Sequence, residues 1–252
     1  MDWKNDLKAL LTQGKNEDAR QLCLTHRPLF LYRYRSSIGK LDYRKDELLG
    51  NVYFSEWKDL NDPFEGMFMS EKSTPSSNAI NSAFNLANSC ALRLASFSEK
   101  KNIMPMWAHY ADNHTGICFE YLTEQLARNV GMDLWPVFYV DRLVDRSDAS
   151  KINNMHNDPR KFVALMKLND WSYECEWRLR YLVDGGQWNK RHRYVRDDNR
   201  IRNIGKPVAV YFGIKTPEEV VKELADFSLE NGIKTYRMEA TTQGLVEREI
   251  TL

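Results

Sequence analysis

Two glutamates stand two residues apart in a strongly alternating segment, residues 169–181, with the sequence NDWSYECEWRLRY. Glu174 and Glu176 share one parity with arginines, and the other parity carries mainly aromatic and aliphatic side chains. Successive side chains of a strand point to opposite faces, so the pattern predicts a strand with one packed face and one charged face. Paired carboxylates can divide the work of proton exchange and of stabilising an oxocarbenium-like transition state. The alternative is a solvated face on which Glu and Arg pair weakly.

Two arginines occupy one parity of the first predicted strand, LFLYRYRS at residues 29–36. Arg33 and Arg35 would therefore share one face of the sheet. The rigid guanidinium fork suits a phosphate or a ribose if that face borders a cleft. An exposed arginine between packed tyrosines is the more common outcome of such a pattern, and both interpretations stay open.

Further polar and aromatic candidates follow in the middle of the chain. Ser96 and Ser98 fall on one face of a predicted strand, where their hydroxyls could hold a backbone group or a ligand. Trp107 and Tyr110 are three residues apart on a predicted helix, so they are neighbours on its surface. These two rings could stack on a flat heterocycle or belong to the core.

Metal binding is not expected from the sequence. His109 and His114 are five residues apart and lack the HExxH pattern, and the four cysteines show no zinc spacing. One hypothesis nevertheless places carboxylates around a divalent metal for nuclease chemistry. Its candidate ligands are Glu65, Glu99, Glu174 and Glu176. No recognisable nuclease motif accompanies them.

A basic segment lies at residues 188–206. It carries seven Lys or Arg against two Asp, with Trp188 and Tyr194 between them. Such a segment could contact phosphates and stack on bases, although a solvated hairpin is the more usual structure. The nucleic-acid candidates are Arg191, Arg193, Arg196, Arg200 and Arg202.

The composition excludes few classes of protein. The chain has 252 residues, of which 42% are hydrophobic and 28% charged, as is ordinary for a globular protein. A net charge of +1 provides no overall field for nucleic acid or membrane surfaces. The N-terminus lacks an apolar signal core, and no segment approaches the roughly 18 apolar residues of a membrane span. We expect a cytoplasmic protein without a membrane partner, and the oligomeric state stays open.

The predicted organisation is a helical leader, residues 1–28, followed by a single α+β domain, residues 29–252. Strands alternate irregularly with short helices, which favours a mixed or antiparallel sheet over a doubly wound one. Apolar spacing predicts a helix at residues 158–168. Thr216 and Pro217 are predicted to begin another helix, with Thr216 as its cap.

Four motifs occur in an order that resembles a bacterial family of unknown function, whose members are similar to some abortive-infection (phage-defence) proteins. The motifs are NDPFE at residues 61–65, FSE at 97–99, MWAHY at 106–110 and WSYECEWR at 171–178. The resemblance covers roughly residues 29–225. It implies a place in phage defence or a toxin–antitoxin system, and it implies no specific activity.

A second resemblance, to ADP-ribosyltransferases, does imply an activity. It rests on an arginine in the first strand, a Ser-x-Ser strand, and a Glu-x-Glu strand preceded by an aromatic-bearing turn. It implies a split sheet, NAD+ as substrate, and either transfer of ADP-ribose to a protein or nucleic acid or hydrolysis of NAD+. The competing hypotheses are a nucleic-acid-binding defence or regulatory protein and a metal-dependent nuclease.

The same resemblance assigns roles to the candidate residues. Arg35, with Arg33 as its rival, would hold the phosphate or ribose of NAD+, and Glu176 would stabilise the oxocarbenium character at the nicotinamide ribose. Glu174 would orient the acceptor, which residues 169–171 would recognise. The remaining cofactor-binding candidates would support the cleft or stack on nicotinamide: Ser96, Ser98, Trp107, His109 and Tyr110.

Overall fold

An eight-stranded mixed sheet with short helices forms the α+β fold of the computed structural model. The structure describes residues 3–37, 39–56, 59–62, 64, 92–129, 132–142, 164–182 and 200–250. Within these residues the helices are α1 (Trp3–Thr12), α2 (Asn16–His26), α3 (Leu41–Leu48), α4 (Met104–Tyr110), α5 (Thr123–Ala127), a 3₁₀ helix (Asn169–Glu174) and α6 (Glu218–Glu230). The strands are β1 (Phe30–Arg35), β2 (Asn51–Tyr53), β3 (Leu92–Ser98), β4 (Ile117–Leu122), β5 (Asp133–Pro136), β6 (Phe138–Val140), β7 (Met166–Leu168), β8 (Glu176–Leu182), β9 (Ile201–Asn203), β10 (Ala209–Phe212), β11 (Lys234–Thr241) and β12 (Gly244–Glu249).

The large sheet has the strand order β12-β11-β10-β4-β1-β3-β8-β5. Only the β10–β11 pair of this sheet is parallel, and the other described pairs are antiparallel. Two small ribbons, β2–β9 and β6–β7, complete the described strands. The α+β class expected from the irregular alternation of elements is confirmed.

The sheet is split between β1 and β3. These two strands pair at a single position, Tyr32 opposite Ser98, whereas β1 pairs with β4 at six positions and β3 with β8 at seven. In the same antiparallel register Tyr34 would face Ser96, and no pair forms there. The Arg33 side chain instead reaches across and donates from Nη1 to the carbonyl oxygen of Ser96 at 3.0 Å. A side chain thus satisfies a strand carbonyl that a neighbouring backbone would satisfy in a closed ladder.

The two N-terminal helices pack into the main core. Leu7, Leu11 and Ala19 are buried in the same apolar cluster as the inward side chains of the sheet. Trp3 stacks on His26, with ring centroids 5.0 Å apart. The break between the helices falls at Gly14, whose φ of 72° suits glycine. The predicted helical leader therefore contributes buried apolar area to the core.

The backbone at the end of β1 packs closely against neighbouring segments. A Cβ on Gly116 would lie 2.3 Å from the carbonyl oxygen of Arg35, and one on Gly213 would lie 2.2 Å from that of His114. Only glycine permits such close backbone approach. The Thr216 hydroxyl also bonds here, donating to the carbonyl oxygen of Gly116 at 2.8 Å.

Three local predictions were wrong. Thr216 does not cap α6, because Pro217 holds the capping position and the Thr216 hydroxyl is used elsewhere. Residues 166–168 form β7 instead of the end of a helix, because they pair with β6, and residues 158–163 lie outside the described part of the chain. Residues 169–174 form a 3₁₀ helix, so the predicted strand begins only at Glu176.

Candidate functional site

The split in the sheet opens into a cleft that encloses a cavity of about 200 Å³. Charged and polar side chains from both halves of the sheet line this cleft. They include Arg33 and Arg35 from β1, Ser96 from β3, Tyr110 from α4, Lys167 from β7, Glu174 from the 3₁₀ helix and Glu176 from β8. The structure therefore brings together both predicted arginines, both predicted glutamates, Ser96 and Tyr110.

The first wall, here called the acidic wall, consists of Glu174, Glu176, Lys167 and Arg178. Lys167 Nζ lies 2.5 Å from Glu174 Oε2 and 3.5 Å from Glu176 Oε2. All four side chains are at most 5% exposed. The predicted charged face of β8 is consequently buried, so the alternative of a solvated face does not hold for its glutamates. Burial is possible because each carboxylate has a cationic partner within the wall.

Glu176 is held as an ion by a bidentate pair. Arg178 donates from Nε to Glu176 Oε1 at 2.8 Å and from Nη2 to Oε2 at 2.9 Å. Burial by itself would raise the pKa of this carboxyl, but the charges of Arg178 and Lys167 outweigh it and lower the pKa to about 2. Ser96 adds a side-chain hydrogen bond that acts in the same direction. Glu176 therefore stays ionised throughout the physiological pH range.

Glu174 has a different environment. Burial raises the pKa of its carboxyl to about 7, and the neighbouring Glu176 charge adds to the effect. Lys167 opposes the shift, as does Tyr110, whose hydroxyl donates to Glu174 Oε1 at 2.6 Å. Two adjacent carboxyls thus have widely separated pKa values, which is the arrangement that lets one exchange a proton near neutral pH while the other stays charged.

A left-handed residue aims both glutamates into the cleft. Cys175 lies between them with a φ of 46°, at the junction of the 3₁₀ helix and β8. The flanking backbone is anchored to β3, because the Ser98 hydroxyl donates to the carbonyl oxygen of Glu174 at 2.7 Å and the Glu99 N–H donates to that of Cys175 at 3.0 Å. A non-glycine residue in this conformation is uncommon and is typical of sites where the surrounding structure imposes it.

The second wall, here called the basic wall, consists of Arg33, Arg35, Arg44 and Glu47. Nε of Arg33 and Nε of Arg35 donate to Glu47 at 2.7 and 3.2 Å, and Nη1 of Arg44 donates to it at 2.5 Å. Three guanidinium groups thus surround one carboxylate, which leaves a surplus of two positive charges. Burial would raise the pKa of Glu47, but the three arginines lower it. The Arg35 side chain is 25% exposed, whereas that of Arg33 is 5% exposed.

The other predicted site residues fall into different surroundings. Trp107 is fully buried and its indole N–H donates to the carbonyl oxygen of Lys101 at 2.7 Å, so it is part of the core. Ser98 is buried and holds the backbone of Glu174, as described above. His109 is exposed beside the Tyr173 hydroxyl, at 3.1 Å. None of these three side chains lines the cleft.

The predicted basic segment is described only from Arg200 onward. Arg200 pairs with the buried carboxylate of Glu56 at 2.7 Å and with Asp59 at 3.4 Å. The guanidinium of Arg202 lies over the Tyr181 ring, 5.0 Å from its centroid. Both side chains thus have partners within the protein. Arg191, Arg193 and Arg196 lie outside the described residues.

Glu99, one of the carboxylates of the nuclease hypothesis, lies apart from Glu174 and Glu176. Glu99 accepts hydrogen bonds from Lys4 and from the Trp177 indole, both at 2.8 Å. It therefore lies with Trp177, on the opposite face of β8 from Glu176. Glu65 lies outside the described residues, and within the described part of the chain no group of three potential ligands could hold a metal ion.

Four residues of the two walls were not selected from the sequence: Lys167, Arg178, Glu47 and Arg44. Lys167 fell within the predicted helix at residues 158–168, and Arg178 was considered only as part of the charged face of a strand. Each is at most 7% exposed in the fold. A signal existed only for Arg178, which follows Glu176 at a spacing that places both on one face of a strand.

The comparisons with known proteins bear on the acidic wall. Residues 106–179 match a family described as a protein of unknown function (DUF2971). The match spans less than half of the chain; it includes Tyr110, Lys167 and both glutamates, and it leaves out β1 and its arginines. Over this segment the chain is similar to an uncharacterised family. No curated protein and no solved structure matches the chain. None of the described helices is long and apolar enough to cross a membrane.

Proposed function

We propose that the cleft binds NAD+ and that the protein breaks the bond between nicotinamide and ribose, transferring ADP-ribose to a protein or nucleic acid, or to water. The observation that carries the proposal is the pairing of two walls across one split in the sheet. One wall has a surplus of positive charge for an anion. The other has two carboxyls, one permanently ionised and one able to exchange a proton near neutral pH.

The basic wall suits the diphosphate of NAD+. Arg35 uses Nε for Glu47 and lines the cleft, and a guanidinium fork can bind two phosphate oxygens. The buried Arg44 Nε and Tyr121 hydroxyl have no hydrogen-bond partner among the described residues. A cluster with more cations and donors than acceptors favours an anionic ligand.

The acidic wall suits the glycosidic bond. Nicotinamide leaves as a neutral base with the bonding electron pair, and positive charge develops on the ribose. Glu176 provides a fixed negative charge next to the cleft, and charge of this kind stabilises an oxocarbenium-like transition state. The acceptor hydroxyl, or water, forms the new bond to the ribose carbon, and its proton passes to Glu174. Such modification of a cellular acceptor fits a cytoplasmic toxin or a phage-defence protein.

The first test is nicotinamide release from NAD+ by purified protein, with cell lysate as the source of acceptors. We expect wild type to release nicotinamide, and Arg35→Gln to raise the KM for NAD+ about tenfold or more, because an arginine–phosphate contact is lost. Arg128→Gln is the matched control. It removes an exposed arginine that pairs with Glu124 and does not line the cleft, so its KM should stay close to that of wild type.

Glu174→Gln is the cleaner substitution on the acidic wall. It should lower kcat by about 10²–10⁴, because general-base catalysis is lost, while Lys167 and Arg178 keep Glu176 as their partner. Glu176→Gln leaves Arg178 buried without its carboxylate, so loss of activity there has to be read beside a melting curve. Absence of nicotinamide release from folded wild type, with and without lysate, would overturn the proposal.

A further inference from the structure

Lys167 occupies a position between the two carboxyls that no sequence motif predicts. Its side chain is 4% exposed and lies 2.5 Å from Glu174 and 3.5 Å from Glu176. The face of Trp171 covers it, with Nζ 4.6 Å from the ring centroid. Strand β7 presents it there because it pairs in parallel with β6, which sets Lys167 opposite Tyr139.

The two carboxyls do not share their cations equally. Arg178 makes two hydrogen bonds to Glu176, and both are shorter than the Lys167–Glu176 distance. The short contact of Lys167 is the one to Glu174. The titratable and charged groups that face Glu174 come from five elements: Tyr110 from α4, Tyr139 from β6, Lys167 from β7, Glu176 from β8, and Tyr173 from its own 3₁₀ helix.

We propose that Lys167 is a positioning residue that compensates the charge of whichever carboxyl is ionised, so that Glu174 can release a proton and take one up from the acceptor beside the ionised Glu176. The catalytic part of this inference rests on the proposed function. When Glu174 is ionised, Lys167 compensates its charge. When Glu174 takes up the acceptor's proton, Lys167 keeps Glu176 as an anionic partner. No buried charge is left alone in either state, which an isolated carboxyl pair could not achieve.

The test measures the effect of Lys167 on the ionisation of Glu174 separately from the enzymatic reaction. Carboxyl carbon-13 NMR of glutamate-labelled protein, assigned with Glu174→Gln, follows the ionisation of Glu174 directly and without NAD+. In wild type we expect a midpoint near 7. In Lys167→Met the midpoint should rise by about one pH unit or more, because the ammonium that favours the ionised form is gone. Lys45→Met is the control. It removes a lysine that lies away from the acidic wall, paired with Glu223 at 2.6 Å, and should leave the midpoint unchanged.

A second variant keeps the inference testable if Lys167→Met fails to fold. Lys167→Gln also removes the ammonium but retains a group that can donate a hydrogen bond to the carboxyls, and its midpoint should rise in the same direction. Tyr110→Phe removes one hydrogen bond to ionised Glu174, leaves Lys167 in place and should give a smaller rise. An unchanged or lowered midpoint in a folded Lys167 variant would overturn the role of Lys167.

A kinetic measurement then shows whether the effect of Lys167 on Glu174 also controls the pH dependence of the reaction. The acidic limb of the pH profile for nicotinamide release should move to higher pH in Lys167→Met by the shift that NMR records. Wild type that titrates as expected but does not consume NAD+ refutes the proposed function and leaves the electrostatic role of Lys167 standing. Active Lys167→Met with an unmoved pH profile refutes the inference and leaves the proposed function standing.

Discussion

The basic and the acidic walls of the cleft both bury charged side chains, but they balance those charges in opposite ways. The basic wall places three guanidinium groups around the single carboxylate of Glu47. The acidic wall places two carboxyls around Lys167 and gives one of them a bidentate arginine. Arginine does not titrate in the accessible range, so the first wall keeps its surplus of positive charge at any relevant pH.

The acidic wall can change its charge, because one of its carboxyls has a pKa near neutrality. The difference shows how neighbouring surfaces of one cleft can divide binding and proton transfer. A fixed excess of cations favours an anion, and a compensated carboxyl pair can accept a proton without exposing a lone buried charge.

Removal of the central carboxylate of the basic wall should be the most damaging change. Glu47→Gln leaves three guanidinium groups, two of them buried, without an anion, and we expect a loss of about 3–5 kcal/mol in the free energy of unfolding. Urea unfolding at pH 7 measures it. Glu223→Gln, which breaks the exposed Lys45 pair, is the control and should cost about 0.5 kcal/mol or less. Equal losses in the two variants would show that the three arginines of the basic wall do not depend on Glu47 to balance their charge.

The contribution of the acidic wall to the free energy of unfolding should depend on pH. Folding raises the pKa of Glu174 from 4.5 to about 7, so the folded state binds a proton that the unfolded state releases. Its contribution to stability is therefore fully present below pH 4.5 and is lost as the pH rises through 7. The stability difference between wild type and Glu174→Gln should change by about 2–3 kcal/mol between pH 5 and 8.

Urea unfolding of both proteins at the two pH values measures this difference. Glu176 has the opposite sign: its lowered pKa contributes stability above pH 4.5 that is lost as the pH falls toward 2. A wild-type protein that gains stability relative to Glu174→Gln on going from pH 5 to 8 would contradict the assignment of Glu174 as the raised carboxyl.

The smallest effect concerns the geometry of the basic wall. Arg33→Lys keeps the charge beside Glu47 but loses the fork that reaches the carbonyl oxygens of Ser96 and Tyr53, each at 3.0 Å. We expect a loss of about 1–2 kcal/mol in the free energy of unfolding. The Arg35 side chain makes no comparable backbone hydrogen bond among the described residues, so Arg35→Lys should change the free energy of unfolding by less. If both lysine variants behave alike, charge alone explains the wall and the bridging of the split is incidental.

Several elements follow directly from residue patterns. The alternation of LFLYRYRS predicted β1, and a helix begins after Pro217 as predicted. Short elements were harder to predict. The three residues of β7 carry too little periodicity to be separated from a helix, and Thr216 looks like a cap until the fold gives its hydroxyl another acceptor.

The candidate site was found in part for the same reason. Residue type and parity selected Arg33, Arg35, Glu174 and Glu176, because strand alternation is a local property. Trp107 was selected by the same spacing as Tyr110, yet the fold buries one ring and turns the other to the cleft. Lys167 and Glu47 could not be found, since their partners lie on other elements and no local spacing connects them.

Residue patterns were sufficient to predict the class of fold, several strands of the sheet, and the residue types able to bind an anion and exchange a proton. Tertiary contacts set the separation of β1 and β3 after one pair, the burial of the glutamates, and the divergence of their pKa values. Local patterns set which side chains share a face. Burial and charge compensation depend on contacts between distant segments, so they arise only when the chain is folded.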